Sequence, residues 1–278
     1  MSSLLLASGR GWRVDDIRCT SGPRDRPFEE QHDGMCIAIV TSGTFTYRTT
    51  QGTAVLAPGA ALLGNHGHCF ECGHEHGVGD RCFSFRFSPE FVESVVSELP
   101  GARQLTFTLP KLPPVPELIP IVADATAARD GADATPFEDL ALSLVAKVGV
   151  VLTGMSSSAR AKDLARHPSH RDQRRVTEAL RRIETHCDQP LSLQALAAEV
   201  AMSPYHFLRT FRAVAGMAPH QFMLHLRLQR AAVRLRCSGD PISTIALEAG
   251  FSDLSTFNRR FRRLLGASPG AYRASRPR

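Results

Sequence analysis

The C-terminal part of this 278-residue chain contains an internal sequence repeat of two copies. At a displacement of 50 residues, Phe207, Phe211, Gly216, Pro219 and Phe222 return as Phe257, Phe261, Gly266, Pro269 and Tyr272. Just upstream, at a displacement of 49, Leu193, Leu196, Ala197, Val200 and Ser203 return as Ile242, Ile245, Ala246, Ala249 and Ser252. A repeat of this kind means that one supersecondary unit is used twice.

Each copy predicts two short helices joined by a tight turn. Apolar residues lie on one face at helical spacing before and after the turn. In the first copy, Ser203 is placed to cap the second helix, and Pro204 occupies its first position. In the second copy, Gly250 supplies an unusual backbone angle, and Ser252 or Asp253 caps the next helix. This pattern is typical of the helix-turn-helix, whose second helix enters the major groove of DNA.

The predicted solvent faces of these second helices suit DNA. They carry Tyr205, His206, Arg209, Thr210 and Arg212 in the first copy, and Ser255, Thr256, Asn258, Arg259, Arg260, Arg262 and Arg263 in the second. Arg pairs with guanine and Asn with adenine, whereas Ser and Thr suit base edges or phosphates. From Arg171 onward the chain has a charge balance of +10, and the preceding residues have −4. A basic C-terminal third fits a module that binds phosphates.

A long helix is predicted between the two copies. Pro219 opens this connection, and apolar residues alternate with Arg from Phe222 to Leu235 before Asp240-Pro241 ends it. A rigid helix fixes the separation of two recognition helices, which contact successive major-groove faces when they lie about 34 Å apart.

Residues 175–273 resemble the DNA-binding domain of the AraC-type (AraC/XylS) transcriptional regulators. The match is strongest from Ile242 to Arg263 and from Gly266 to Arg273. The resemblance implies two helix-turn-helix units, a linking helix and control of nearby promoters. Carried onto matching positions, it implies nine residues that contact bases or phosphates. These are Tyr205, His206, Arg209, Arg212, Ser255, Thr256, Asn258, Arg259 and Arg262.

Residues 28–90 predict short β-strands separated by Gly and Pro. The expected strands include Cys36–Val40, Thr44–Arg48 and Ala54–Leu56, and Cys82–Ser88 alternates with its Phe residues on one face. Short strands with turn signals indicate a small barrel. The resemblance likewise implies a cupin-like barrel that binds an effector and dimerises. We therefore expect an α+β fold: an N-terminal cupin-like β-barrel with helices, and a C-terminal all-α domain of two helix-turn-helix units joined by a long helix.

The expected organisation is a cupin-like effector-sensing and dimerisation domain over residues 1–153, a linker over 154–172, and the DNA-binding domain over 173–278. The linker is rich in Ser and small residues. Before it, an apolar stripe from Phe137 to Leu152 predicts a helix that packs either on its own domain or in a dimer. The Pro-dense stretch 109–116 excludes a central strand or helix interior.

Residues 66–82 concentrate four His, three Cys and two Glu. If residues 72–76 are extended, Cys72, His74 and His76 project from one face. A further ligand could come from Cys69, His66 or His68. Thiolate and imidazole ligands favour zinc, with ferrous iron or copper as other choices. Two alternatives stay open. The thiols could form a redox sensor if one has a depressed pKa, or the segment could be a solvated hairpin at the barrel edge.

The sequence does not indicate a membrane protein, a secreted protein or a disulfide-rich protein. The sequence contains no apolar run of about 18 residues, so a membrane span is not expected, and its N-terminus lacks the basic start of a signal peptide. We therefore expect a cytoplasmic protein. The seven cysteines, an odd number, do not indicate a disulfide framework in that compartment.

The expected function is a sequence-specific DNA-binding transcription regulator, with no catalytic residues, controlled by a small-molecule or metal effector at the barrel. Its partners would be double-stranded DNA, RNA polymerase if it is an activator, and a second copy of itself in a homodimer. The alternative, from a different functional class, is an enzyme. It would be a metal-dependent cupin oxygenase or isomerase with an appended DNA-binding domain. DNA alkyl-damage repair is disfavoured, because the sequence lacks the Pro-Cys-His-Arg signature of such enzymes.

Overall fold

The computed structural model describes residues 1–27, 29–75, 77–98, 105–132, 135–156 and 168–275, which form a β-rich N-terminal domain and a helical C-terminal domain. The N-terminal strands are β1 (Ser2–Gly9), β2 (Trp12–Cys19), β3 (Glu29–Gln31), β4 (Met35–Gly43), β5 (Phe45–Thr49), β6 (Gly52–Leu56), β7 (Ala61–Gly64), β8 (Cys69–Gly73), β9 (Asp80–Phe87) and β10 (Lys111–Leu112). The N-terminal helices are α1 (Pro89–Ser97), α2 (Ile119–Arg129) and α3 (Phe137–Ser156), with a short 3₁₀ turn at Pro116–Leu118. Within these ranges, no helix combines the length and hydropathy needed to cross a bilayer.

The strands form two antiparallel sheets that face each other. The larger sheet has the order β1-β2-β9-β4-β7-β10, and the smaller has the order β3-β8-β5-β6. Side chains such as Ala38 and Leu62 from the larger sheet meet Tyr47 and Leu56 from the smaller one. The cupin-like arrangement is thus confirmed, but over the described residues the strands belong to two separate sheets rather than one closed barrel.

The alternation predicted on β9 decides what each face of the larger sheet contacts. Phe83, Phe85 and Phe87 point to a core shared with the helices. Asp80 and Cys82 point to the opposite side, into the space between the sheets. Because successive strand residues face opposite ways, one strand contributes both to the hydrophobic core and to a polar cavity.

The apolar stripe on α3 packs against its own domain. Leu140, Leu144, Val145 and Val148 are fully or almost fully buried in the core that includes the Phe residues of β9. Of the two alternatives predicted for this stripe, packing within the domain is the one observed.

Two parts of the N-terminal domain, residues 1–27 and the Pro-dense stretch 109–116, can be compared with the sequence predictions. Residues 1–27, for which no strand was expected, supply β1 and β2, which pair with each other and join the larger sheet through β9. The Pro-dense stretch contributes only the two-residue strand β10, at the outer edge of that sheet, as the excess of Pro requires.

The C-terminal domain contains the predicted repeat. Its helices are α4 (His170–His186), α5 (Leu193–Glu199), α6 (Pro204–Ala215), α7 (Pro219–Cys237), α8 (Ile242–Glu248), α9 (Leu254–Leu265) and α10 (Pro269–Ala274). Helices α5 and α6 form the first helix-turn-helix, α8 and α9 form the second, and the long helix α7 joins them. Helix α3 continues to Ser156 and α4 begins at His170, so both ends of the predicted linker are helical. Residues 157–167 of that linker lie outside the described residues.

Repeated aromatic residues form the two cores of this domain. In the first core, the Phe211 ring contacts those of Phe207 and Phe222, with centroids 5.6 and 5.9 Å apart. In the second core, the Phe261 ring contacts those of Phe257 and Tyr272, with both centroid distances 5.5 Å. Five of these six rings are fully buried and Tyr272 nearly so, so the repeat in the sequence is a repeat of core packing.

The N-terminal domain completes both cores. Val55 of β6 packs into the first core, and Ile119 and Ala123 of α2 pack into the second. Arg236 of α7 forms an ion pair with Asp124 of α2, with Nε and Oδ1 2.6 Å apart. The two domains are therefore packed along the linking helix α7.

The two helix-turn-helix turns use different residues at the same position. Gly250 has φ +85°, and Ala201, its equivalent 49 residues earlier, has φ 51°. A methyl group on Gly250 would lie 2.5 Å from the backbone oxygen of Asp188. The second turn therefore requires Gly for its backbone angle and for space, whereas the first turn tolerates a β-carbon.

We expect Gly250→Ala to lower the free energy of unfolding by about 2 kcal/mol, because strain at positive φ adds to the clash with Asp188. The matched control is Ala201→Gly, for which relief of strain opposes the added freedom of the unfolded chain, giving a change within about 1 kcal/mol. Urea unfolding followed by circular dichroism measures both. Equal losses in the two variants would contradict this assignment.

Candidate nucleic-acid interface and effector cavity

Helix α6 presents the first set of predicted DNA contacts. The Ser203 hydroxyl accepts a hydrogen bond from the His206 amide at 3.3 Å, which caps the helix as predicted. Phe207 and Phe211 face the core, and the opposite face exposes the residues proposed for DNA. These are Tyr205, His206, Arg209 and Arg212.

Thr210 was predicted on the solvent face of α6, but the structure buries it. Its exposed fraction is 6%, because it lies on the same side as Phe207 and Val214 at spacings of three and four residues. His206 also has a neighbour within the domain, since its Nε2 lies 3.5 Å from Oδ1 of Asp172 on α4.

Helix α9 presents the second set. Asp253 is the cap, and its carboxylate accepts a hydrogen bond from the Thr256 amide at 2.7 Å. That backbone hydrogen bond lowers the pKa of Asp253. Phe257 and Phe261 are buried, and the predicted contacts lie on the other side. Ser255, Asn258, Arg259 and Arg262 are exposed and Thr256 is half-buried.

A groove lies beside α9, between it and the start of α10. Asn258, Arg259 and Arg262 line it together with Arg263, which was predicted to face outward but was not among the nine contacts. Across the groove, the Ser268 hydroxyl caps α10 by accepting from the Ala271 amide at 3.2 Å. Three guanidinium groups around one groove suit a phosphate backbone.

The N-terminal domain encloses a cavity of about 230 Å³ between its two sheets. Four of the seven cysteines line it, Cys19, Cys36, Cys72 and Cys82. His32 lies at one side, where its Nε2 and the Tyr47 hydroxyl are 2.8 Å apart and its ring stacks on Phe70 at 4.1 Å. Burial lowers the pKa of His32 to about 4, so this imidazole is neutral at pH 7.

Three potential metal ligands converge at the other side of the cavity. Ligand atoms of Cys19, His74 and Asp80 all lie within 4.8 Å of one another, the only such group found among the described residues. His74 Nε2 is 2.5 Å from Asp80 Oδ1, and both side chains are buried. Strand pairing explains why Cys19 and Asp80 lie together, because Cys19 at the end of β2 is directly opposite Asp80 at the start of β9. Cys82 extends the group through its thiol, which donates to Asp80 Oδ2 at 3.4 Å.

The metal ligands predicted from sequence do not all lie near the group formed by Cys19, His74 and Asp80. Cys69 and Cys72 lie three residues apart on β8 and so point to opposite faces. Cys72 lines the cavity, whereas Cys69 is exposed. His74 belongs to the group with Cys19 and Asp80, and His76 lies outside the described residues. The structure therefore does not bring Cys69 together with Cys72 and His74, and it places beside His74 two residues that were not predicted, Cys19 and Asp80.

The buried thiols of the cavity have raised pKa values. Burial raises the pKa of Cys36 to about 11, and it also raises those of Cys72 and Cys82. The thiolate is the reactive form, so these groups are poor nucleophiles at neutral pH. A redox sensor of the predicted kind needs a depressed thiol pKa, which these three cysteines do not have.

The turn at residues 77–79, just before Asp80, touches the DNA-binding domain. Arg181 of α4 donates to the Val78 oxygen at 3.3 Å and to the Thr44 hydroxyl at 3.1 Å. Gly77 lies against the same guanidinium so closely that any side chain there would overlap it. Glu184, one turn further along α4, accepts from the Gly43 amide at 2.9 Å. Residues next to the cavity lining thus contact the first helix of the C-terminal domain.

A second contact reaches the recognition helix α6. Lys111 of β10 is buried, and its Nζ donates to the Val55 oxygen at 2.8 Å and to the Val214 oxygen near the C-terminal end of α6. A cation at this end of a helix interacts favourably with the helix dipole. Burial nevertheless lowers the pKa of Lys111 to about 8.

Comparison with known protein families matches both halves of the chain. Residues 20–143 match the family described as AraC-like ligand binding domain, and residues 196–275 match a helix-turn-helix domain. Regulatory protein SoxS of Escherichia coli (strain K12) is 34% identical over 101 residues, which are 36% of this chain and 94% of that protein.

Two longer relatives match over the same C-terminal part of the chain. Right origin-binding protein of Escherichia coli (strain K12) is 40% identical over 93 residues, 34% of this chain and 32% of that protein. Bifunctional transcriptional activator/DNA repair enzyme Ada of the same strain is 36% identical over 99 residues, 36% of this chain and 27% of that protein. This chain therefore spans about a third or less of the length of these two relatives.

We expect the buried amine of Lys111 to make stability depend on pH in alkaline solution. Between pH 8 and 10.5 the unfolded chain holds this proton and the folded chain does not, so the free energy of unfolding rises with pH. Relative to Lys111→Met, which cannot titrate, wild type should gain about 3 kcal/mol across that window. Urea unfolding of both proteins at several pH values, under reducing conditions, measures the difference. A constant difference would contradict the buried position of Lys111.

Proposed function

Because this chain belongs to the AraC-type family of transcriptional regulators, we propose that it is a sequence-specific DNA-binding regulator controlled by a ligand in its N-terminal domain. The observation that carries the proposal is the pair of capped helices α6 and α9, each of which buries its Phe residues and exposes residues suited to DNA. We assign direct contacts to the nine residues named in the sequence analysis, and we add Arg263 as a phosphate contact.

Helix α7 sets the spacing of the two contacts in this proposal. Its 19 residues correspond to about 28 Å at a rise of 1.5 Å per residue. Helices α6 and α9 would then enter successive major grooves on one side of the duplex. One subunit would recognise a site with two contacted segments about one helical turn apart.

The N-terminal cavity is the proposed effector site. Its volume of about 230 Å³ and its His, Cys and Asp lining suit a small polar molecule or a metal ion. We further propose that the protein acts in the cytoplasm, as a homodimer, and contacts RNA polymerase where it activates a promoter. The enzyme alternative is a metal-dependent oxygenase or isomerase at the same cavity, and turnover of a substrate by the purified protein would favour it.

We expect Arg209→Ala and Asn258→Ala each to weaken binding to the preferred site by about 1–3 kcal/mol and to relax preference at one base pair. The preferred site is obtained by selection from random duplexes with the full-length protein. Fluorescence anisotropy on that duplex, and on duplexes with single base changes, gives the affinities.

Arg174→Ala is the matched control for lost charge. Arg174 is exposed on α4, outside both recognition helices, where it pairs with Glu178. Its removal should leave sequence preference unchanged. If Arg209→Ala and Asn258→Ala weaken binding equally on every sequence, these residues contact only phosphates and the assignment of base contacts is wrong.

Binding to DNA should weaken steeply as salt concentration rises, because phosphate contacts release counterions. Replacing Arg259 or Arg263 with Ala should reduce the slope of log affinity against log salt by about one. A titration of anisotropy at several salt concentrations measures both slopes. A slope near zero in wild type would contradict a contact surface dominated by the basic residues of α9.

A further inference from the structure

Cys19, His74 and Asp80 form a group that DNA binding does not use. Their ligand atoms lie within 4.8 Å of one another beside a cavity, and they come from three separate positions in the chain. Thiolate, imidazole and carboxylate are the three donor types that bind zinc in proteins. Such a donor set disfavours magnesium and calcium, which prefer oxygen ligands alone.

We propose that Cys19, His74 and Asp80 bind a divalent transition-metal ion of the zinc type, and that this ion is the effector of the regulator proposed above. The second half of this statement rests on the proposed function, whereas the metal site stands independently of it.

Binding an ion requires only a small rearrangement of the present geometry. Zinc bonds of about 2.0–2.3 Å place tetrahedral ligands roughly 3.3–3.8 Å apart. Cys19 and Asp80 are held opposite each other by the β2–β9 ladder, and His74 follows the end of β8. His74 and Asp80 already lie 2.5 Å apart, so an ion would replace their hydrogen bond.

Two candidates for a fourth ligand are the Cys82 thiol beside this group and a water molecule admitted by the cavity. Cys82 is next on the same face of β9, with its thiol 3.4 Å from Asp80 Oδ2. Either this thiol or a water molecule could complete a tetrahedron, as in zinc sites with three protein ligands. The cavity leaves room for that water.

The position of the site suggests how an ion would affect DNA binding. His74 and Asp80 flank the turn at residues 77–79, whose Val78 oxygen accepts a hydrogen bond from Arg181. Asp80 also pairs with Gly43, whose amide donates to Glu184. Separating the His74 and Asp80 side chains to admit an ion would therefore move the contacts of α4.

Helix α4 transmits any such movement to the recognition helix. Val176 and Leu180 of α4 are buried in the same core as Phe207 and Phe211 of α6. A shift of α4 relative to the N-terminal domain would reposition α6 against DNA. The path from the ion to the recognition helix then runs through one turn and one helix.

Cobalt(II) is the probe for the site, because its spectrum reports thiolate ligation and tetrahedral geometry. Full-length protein without a His tag, freed of metal by chelation, should bind one cobalt ion with a thiolate charge-transfer band that zinc removes. Cys19→Ser and Asp80→Asn should each weaken cobalt binding by about 100-fold or more. Cys69→Ser is the matched control, since this exposed thiol lies outside the group, and it should bind cobalt as wild type does.

A conservative variant and a measurement of fold guard against misfolding as the cause of a loss. Asp80→Asn keeps the size and shape of the side chain, and circular dichroism compares the fold of each variant with wild type. Absence of a thiolate band in wild type would overturn the site. A band that survives Cys19→Ser but disappears in Cys69→Ser would also overturn it, because the ion would then be bound elsewhere.

The effector role is tested by DNA affinity with zinc and with a chelator, using duplexes selected under each condition. Wild type should change its dissociation constant about tenfold on adding zinc, and Cys19→Ser should not respond. Arg181→Ala should still bind cobalt but lose the response to zinc, because it removes the contact between the turn and α4.

The possible failures are distinguishable. If wild type binds selected DNA equally well with zinc and with chelator, the effector role is wrong while the DNA-binding function stands. If no sequence is selected under either condition, the proposed DNA-binding function is wrong, and the effector role falls with it. The cobalt spectrum decides the metal site in both cases.

Discussion

Burial of the repeated aromatic rings is the constraint on which the C-terminal domain depends. Helices α5 and α8 have seven residues each, and helices of this length are not stable alone in water. Packing against Phe211 in one copy and Phe261 in the other holds them against the recognition helices. At about 2–3 kcal/mol for each fully buried ring, the aromatic groups supply the energy that orients both DNA-facing surfaces. The exposed Arg and Asn residues are positioned by side chains on the opposite face of the same helices.

The helix-turn-helix units could be predicted because their determinants are local. Caps, apolar spacing and the turn glycine all fall within about 25 residues, so helical periodicity alone separates the buried face of α9 from the face with Asn258. Thr210 was predicted on the wrong face although its spacing from Phe207 and Val214 places it on the apolar stripe. That error came from weighting residue type above position.

The effector cavity could be predicted only in part, because its residues meet through pairing between distant strands. Cys19 and Asp80 are 61 residues apart and come together through the β2–β9 register, which no local pattern specifies. The density of His and Cys in residues 66–82 drew attention to His74, which the structure places beside Cys19 and Asp80. It also drew attention to Cys69, whose three-residue spacing from Cys72 would have indicated opposite faces once β8 was recognised as a strand. The packing of both cores against Val55 and Ile119 likewise depends on contacts between domains.

The contacts between α4 and the residues beside the cavity limit how strongly any effector in the cavity can influence DNA binding. The polar contacts from Arg181 and Glu184 are few, and a net hydrogen bond in a protein contributes about 1 kcal/mol. Redistributing two or three of them between two arrangements gives a coupling of about 1–3 kcal/mol, which corresponds to roughly 5- to 150-fold in affinity. Such coupling is reciprocal, so DNA must tighten or weaken effector binding by the same factor. Because α7 is packed against α2 through Ile119 and the Arg236–Asp124 ion pair, the N-terminal domain has a fixed body against which α4 can move. In the proposed mechanism, this shared core would hold the rest of the interface in place while the few polar contacts of α4 change.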